Sequence, residues 1–337
     1  MPLKPWIKAV VAGKNLSQND MKTAMDTIMS GEATHAQIGA LLVGLRMKGE
    51  TIDEIAGAAE AMRSRVHRVE HGFERVLDTC GTGGDGAGTF NISTTVSFVC
   101  AGAGVRVGKH GNRAISSRSG SADVLEALGV TLLSKPEQLS HCLETVGLAF
   151  LFAPALHPAM KHVAGPRREM GVRTMMNLLG PITNPANATH QLVGIYDRER
   201  VPTIAKVLHQ LGTKRAIVVH GHNGLDEVNP CGPTDVAIAD KNGVHTQVTR
   251  PEDVGLTSCS MEDIAGGDSD ENAEIMRNLL NGKPGPARTA VALNAGWALF
   301  AAEAAATPAE GVELAQQVID DGRARDVMNN LIGYTTS

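Results

Sequence analysis

The sequence predicts an α/β protein in which a small all-helical domain precedes a larger one built on a mostly parallel central sheet flanked by helices. Three observations predict it. The first ~70 residues carry apolar positions at helical spacing together with helix-start signals, and no β-type run lies among them. From Arg75 onward, short β-type runs alternate with helical stretches, which is the pattern of parallel strands joined by helical crossovers. The 337 residues are enough for two domains, and no repeat or low-complexity linker interrupts them.

Each element has its own signal. Ser17 precedes an apolar stripe of Met21, Ala24, Met25, Ile28 and Met29. Thr34 with Gln37, and Thr51 with Glu54, have the spacing of capping boxes, in which side chains satisfy the otherwise unpaired amides of a first helical turn. Between them lies the face Ile38, Leu41, Leu42 and Leu45. Residues 76–79 then read as a strand, followed by a glycine loop and a helix from about Thr94. Residues 105–107 read as the next strand, ending at a second polar loop. A helix over 121–128 closes at Gly129, another over 136–146 stops at Gly147, and 148–152 forms a strand. Between Pro154 and Pro185 runs a second helical segment. Residues 191–196 and 215–220 are strands separated by a helix reaching Gly212. Asn242-Gly243, between 236–239 and 244–248, is a hairpin signal, and the last ~65 residues return to helix. The expected domains are a helical one over 1–70, joined by helices from about 158–185, and an α/β one over 73–337.

Composition narrows the function. Hydrophobic residues at 42% and charged residues at 20% describe a globular chain rather than a disordered one. Aromatics at 3% leave no base-stacking platform, and a net charge of −5 argues against a general nucleic-acid or membrane coat. Any polyanion site must be local. The five cysteines are odd in number and form no C-x-x-C pair, so free thiols in a reducing compartment are expected. The start, MPLKPWIKAV, lacks a signal-peptide apolar run. The apolar segment 289–306 carries Asn294 and Glu303 and reads as a buried helix. A soluble, cytoplasmic protein is expected, with neither nucleic acid nor membrane as partner.

The chemistry concentrates after the first predicted strand, in GTGGDGAGTFNIST from Gly81. Glycines let the backbone approach a ligand and turn amides toward it, and a helix start just beyond favours an anion. Gly81, Gly83 and Gly86 also fit a dinucleotide fingerprint, which needs an acid about 20 positions later. No Asp or Glu occurs from Gly86 to Ala122, and no Gly-Lys-Ser/Thr follows to make a Walker loop. The same stretch carries Arg106, Lys109, Arg113 and Arg118 with many hydroxyl and amide donors, which suits a ligand bearing several phosphates. Its second loop, KHGNRAISSRSGSAD, contains a lone His110, a residue type that is more often structural than an acid or base, and serines that fit helix caps or phosphate donors alike. Asp226-Glu227 follow the strand ending at His220 and are candidate magnesium anchors, since that ion takes few protein carboxylates and completes its shell with water and phosphate. His220 and His222 lack the further ligands a zinc site needs.

The ordered set GTGGDG, NIST (91–94), KHGNRA (109–114), SGSADVLEALG, HPAMK (157–161), VRTMMNLLGPITNPA (172–186) and DEV (226–228) resembles the anthranilate phosphoribosyltransferase family over nearly the whole chain. The resemblance implies a homodimer, joined through the helical domain, whose catalytic fold is like that of the pyrimidine nucleoside phosphorylases. It implies transfer of the phosphoribosyl group of 5-phosphoribosyl 1-diphosphate to anthranilate, with Mg2+, in tryptophan biosynthesis. It further implies that Gly81, Gly84, Asp85, Thr89, Asn91, Ile92, Ser93 and Thr94 cradle the sugar diphosphate with Lys109, His110, Gly111, Asn112, Arg113, Ala114, Ile115, Ser116, Ser117 and Ser121. Ser93, Asp226 and Glu227 would hold the metal, and Lys109 would stabilise the leaving group. Gly81, Asn112 and Arg167 would meet anthranilate, although Pro166 stands where the family usually has a β-branched residue, and Arg168 and Arg173 are close in sequence. The rivals are a pyrimidine nucleoside phosphorylase-like enzyme, which the KHGN loop disfavours, and a non-catalytic nucleic-acid-binding relative, which the charge and the Asp226-Glu227 pair disfavour.

Overall fold

The computed structural model describes residues 2–114 and 118–337. Its N-terminal helices begin where their caps predict. Ser17 accepts the Asp20 amide and starts Gln18–Met29, while Thr34 and Thr51 form complete capping boxes with Gln37 and Glu54 and start His35–Lys48 and Ile52–Ser64. Lys4–Val11 precedes them. The predicted apolar stripes are buried, as is Glu54, whose carboxylate accepts bonds from Lys48 Nζ at 2.9 Å and from the Leu16 and Thr51 amides at 2.9 and 2.8 Å. A buried charge so completely partnered ties three segments of the bundle together.

The described residues then build one seven-stranded sheet. Its strands are β1 (Leu77–Asp78), β2 (Val107–Gly111), β3 (Leu148–Phe152), β4 (His190–Gly194), β5 (Arg215–Gly221), β6 (Thr234–Asp240) and β7 (Gly243–Thr249). They lie in the order β3-β2-β1-β4-β5-β6-β7. The first five neighbours pair in parallel, and β6 and β7 add an antiparallel edge. The chain is therefore α/β, with a helical N-terminal region and a mostly parallel mixed sheet flanked by helices, as the alternation predicts.

Local stops are placed as expected. Gly129, with φ of 102°, ends helix Ser121–Leu128, and β3 spans 148–152. Several element ends shift by one or two residues, and two placements change the reading. The strand expected over 105–107 is β2 at Val107–Gly111, so Lys109 and His110 stand on the sheet rather than in a loop. Its polar residues suggest a loop, but every β2 residue pairs in register with β3, from Val107 opposite Leu148 to Gly111 opposite Phe152, and the buried polar side chains have partners. At the hairpin, Gly243 is not in the turn but opposite Asp240, and the turn residues are Lys241 and Asn242. Asp240 Oδ1 accepts the Asn242 amide at 2.8 Å, and Gly243, at φ 108°, absorbs the twist mismatch.

Side-chain alternation divides the core. On β5, Ile217 and Val219 face the helices Ile92–Gly102 and Pro286–Ala301. Ala216 and Val218 face the other way, into a cluster that includes the N-terminal helices, residues 175–182 and helix Val201–Gln210. One sheet face thus supports the helical region directly, leaving the carboxyl ends of the parallel strands beside it.

Candidate active site

The carboxyl ends of adjacent parallel strands are where an open α/β sheet binds ligands. Here the loops after β1, β2, β4 and β5 meet. Gly83, Gly84, Gly86 and Gly88 all have positive φ between 65° and 73°, so the loop after β1 is a run of turns available to few other residues. The Thr82 amide donates to Gly194 O at 2.9 Å, and Thr82 Oγ1 accepts the Tyr196 amide at 3.1 Å, pinning the loop to the end of β4. Farther on, Thr89 bridges to Ala265 and the Gly266 amide donates to Gly88 O at 2.8 Å. Ile92 and Thr94 are buried in the helix that follows, whose N-cap Asn91 makes no side-chain cap bond. Instead, Asn91 Oδ1 accepts Asn272 Nδ2 at 3.0 Å and Asn91 Nδ2 donates to Ser119 O at 3.3 Å, joining the two polar loops.

Asp226 and Glu227 are held against this loop. Asp226 Oδ2 accepts the Gly83 amide at 2.6 Å, and Glu227 Oε1 accepts the Ser93 amide at 3.2 Å. Asp85 Oδ2 accepts the Asp226 amide at 3.4 Å, bringing a third carboxylate to the cluster. Loss of water raises both the Asp226 and Glu227 carboxyls above the usual range; the Asp85 charge adds to the rise at Asp226, and the Asp226 charge to that at Glu227. Lys109 Nζ donates to Thr79 O at 3.2 Å and Ser93 Oγ at 3.3 Å, buried beneath the same cluster. Asp226 and Glu227, with the Asp85 charge and the Ser93 hydroxyl beside them, are hard oxygen donors of the kind magnesium takes, and a divalent cation would relieve their repulsion. Asp78, Cys80 and His110 also bring ligand-type atoms within 4.8 Å of one another. Both Asp78 oxygens, however, already accept bonds, from the His110 amide at 3.1 Å and Asn184 Nδ2 at 2.7 Å. That grouping is structural.

The loop after β2 is braced from within. Asn112 donates its amide to Ser121 Oγ at 3.2 Å and accepts the Ser121 hydroxyl at 3.1 Å, beside Gly111. The Ala114 amide donates to Asp123 Oδ2 at 2.8 Å. Arg113 is committed to Asp123 and Glu126 at 3.0 and 2.5 Å, so its guanidinium is already neutralised by this chain's own carboxylates. Ile115, Ser116 and Ser117 lie outside the described residues. His110 is buried, with Nδ1 at 3.1 Å from Gly180 O and Nε2 at 3.2 Å from His157 Nε2. Burial first, and then the neighbouring imidazole, pushes its pKa down to about 3, while burial takes His157 to about 4. Both rings are neutral, which fits a packing pair rather than a general acid.

Arg167 lies on helix Lys161–Met170, half-buried, and among the described residues its guanidinium has no hydrogen-bond or ion-pair partner. Burial lowers its pKa, because loss of water penalises the charged guanidinium. Arg173 differs: its Nη2 donates to Gly84 O and its guanidinium lies 4.2 Å from the Tyr196 ring centroid.

Four supporting residues receive no role from the motifs. Asn294 receives the Val228 amide at 2.8 Å and donates to Val228 O at 2.8 Å, clamping the chain one residue past the acidic pair. Its signal is a polar residue inside an apolar helix. Asp78, inside a strand run, carries the same kind of signal, whereas its partner Asn184 lies between Thr183 and Pro185, outside any helix or strand. Gly194 has none: a Cβ there would lie 1.5 Å from Asp226 O, so only glycine admits the acidic loop across the end of β4.

Comparison with known proteins agrees with this arrangement. Residues 4–66 match the helical bundle domain of a glycosyl transferase family, and residues 73–325 its a/b domain. The chain is 52% identical to an anthranilate phosphoribosyltransferase of Moorella thermoacetica and 53% identical to one of Symbiobacterium thermophilum, covering 99% of this chain in each and 99% and 98% of the relatives. Among solved structures, the anthranilate phosphoribosyltransferase of Thermus thermophilus superposes with a TM-score of 0.94 at 41% identity, each chain covered completely. The Saccharomyces cerevisiae enzyme in complex with PRPP and Mg superposes with a TM-score of 0.90 at 28% identity over 99% of this chain and 98% of that one. The fold, the strand-end loops and these likenesses agree: this chain belongs to the anthranilate phosphoribosyltransferase family.

Proposed function

We propose that this protein transfers the 5-phosphoribosyl group from 5-phosphoribosyl 1-diphosphate to the amino nitrogen of anthranilate, releasing diphosphate, as a step of tryptophan biosynthesis. The observation that carries the reading is the junction of the acidic pair with the glycine loop, Asp226 on the Gly83 amide and Glu227 on the Ser93 amide, above Lys109. Relatives bearing this activity's name cover the full chain, and a related structure holds PRPP and Mg.

In this reading the amides and side chains of Gly81, Gly84, Asp85, Thr89 and 91–94 grip the sugar diphosphate, with 109–117 and Ser121 completing the cradle. Ser93, Asp226 and Glu227 hold Mg2+, which when bound neutralises charge on the diphosphate. Lys109, fixed by Thr79 and Ser93, stabilises negative charge growing on the departing group. No side chain serves as nucleophile. The anthranilate nitrogen is uncharged at neutral pH, and orienting it contributes more than removing its proton. Arg167 offers its carboxylate two parallel hydrogen bonds, with Gly81 and Asn112 at the junction of the two substrates.

The protein works as a homodimer through the helical domain, for which Val11 and Met47, 73% and 84% exposed on packed helices, supply apolar surface. The helical domain comprises 1–70 with 158–185, and the catalytic domain 73–337. The setting is the cytoplasm; among the described residues no helix is long and apolar enough to cross a membrane. The test is anthranilate fluorescence followed with phosphoribosyl diphosphate and magnesium. Consumption that requires all three components and stops with EDTA supports the assignment. A flat signal from folded protein rejects it.

A further inference from the structure

Outside the site, the described cysteines include one pair in contact. Cys231 Sγ and Cys259 Sγ are 3.7 Å apart, both half-buried. The Cys259 amide donates to Pro230 O at 3.0 Å, which sets the two segments side by side. A disulfide needs sulfurs about 2.05 Å apart, so closure requires a movement of under ~2 Å, within reach of small side-chain rotations. By contrast Cys100 and Cys142 are fully buried, and the Cys80 thiol donates to Gly81 O.

The position of the pair gives it a consequence. Cys231 follows the acidic pair by four residues, on the chain that Asn294 clamps at Val228. Cys259 opens the segment that runs beneath the glycine loop, where Ile264 O accepts the Phe90 amide at 3.2 Å and the Gly266 amide donates to Gly88 O. We infer that Cys231 and Cys259 are an oxidisable modification site, closed to a disulfide in the folded protein by small disulfides such as oxidised glutathione, and that the bond ties the acidic loop to the strut beneath the glycine loop.

The exchange balances without another reactant. Cys231 thiolate attacks one sulfur of glutathione disulfide, whose S–S bond breaks, and the first glutathione leaves and takes a proton. Cys259 loses its proton to solvent, attacks the Cys231 sulfur of the mixed disulfide, and expels the second glutathione. Two protein thiols are oxidised and one glutathione disulfide is reduced. Burial raises both thiols, but at Cys231 a hydrogen bond from Cys259 offsets part of the rise, whereas that same contact adds to it at Cys259, pushed up to about 12, so Cys231 is the first attacker. Both thiols are raised, so the reaction accelerates with pH.

The folded full-length protein is incubated with glutathione disulfide, alkylated under denaturing conditions, and mapped by mass spectrometry. The expected result is one dominant cross-linked peptide pair joining Cys231 and Cys259, two hydrogen masses lighter than its reduced parts, with Cys80, Cys100 and Cys142 alkylated. Dithiothreitol reverses it. The oxidised form shows slower amide exchange over 226–231 and 259–266, and Cys259→Ser accumulates a stable glutathione adduct at Cys231. A persistent adduct on wild-type Cys231, scrambled pairs, or no reaction of folded protein overturns the proposal, independently of which substrate the enzyme uses.

Discussion

Asp226 and Gly83, 143 positions apart in the chain, are joined by a 2.6 Å hydrogen bond from the Gly83 amide to the Asp226 carboxylate. That bond fixes the distance between the loop proposed to bind phosphates and the loop proposed to bind metal. The same carboxylate limits the backbone two residues earlier, because a Cβ on Gly81 would lie 2.8 Å from Asp226 Oδ2. Contacts that close are not seen for real side chains, so one partner must move.

Gly81→Ala therefore displaces Asp226 rather than unfolding the protein, since the strand preceding it is unaffected. The expected outcome is a rise of roughly 10-fold or more in the magnesium concentration for half-maximal activity, with far-UV circular dichroism unchanged. A wild-type metal titration would show that the loop accommodates the methyl group.

Asp226→Ala removes both the carboxylate and the acceptor of the Gly83 amide. It should weaken magnesium dependence by about 10- to 100-fold and lower kcat by about 100-fold or more. An unchanged metal titration refutes the metal role. In the wild type, the raised Asp226 and Glu227 carboxyls must lose protons to bind a cation, so magnesium affinity should climb with pH until both are ionised. Isothermal titration at several pH values checks the sign.

Arg167→Ala should raise the KM for anthranilate by about 10- to 100-fold, the worth of a charged hydrogen-bonded pair, while changing that for phosphoribosyl diphosphate little. Equal effects on both substrates sink the assignment. Arg173→Ala acts instead through Gly84 and is expected to raise the KM for the sugar diphosphate.

The His110–His157 pair predicts acid sensitivity. A histidine in the unfolded chain titrates near ~6.5, whereas these rings are held down to about 3 and about 4. The stability they contribute is complete above that unfolded value and is lost as pH falls toward the folded ones, at up to about 1.4 kcal/mol per ring per pH unit. Urea unfolding midpoints from pH 7.5 to 4.5, measured for wild type and His157→Gln, read this directly. The variant should show a shallower slope; identical slopes reject the account.

Sequence alone determined the elements whose causes are local. Thr34 and Thr51 announce their helices because a cap is completed three residues away, and Gly129 stops one because a single residue adopts φ of 102°. The fold class follows from alternation, and the ordered motifs identify the family. Tertiary structure decided what depends on distant partners. Lys109 and His110 became strand because β3 pairs with them, and Asp78 became a bracing residue because Asn184 reaches it from 106 positions away. Gly194 is indispensable only because Asp226 crosses it, and Cys231 meets Cys259 only after the β6–β7 hairpin folds back between them. The reason is physical: caps and turns are satisfied within one helical turn or hairpin, whereas these contacts exist only when packing of the whole sheet offsets the entropy of closing long loops.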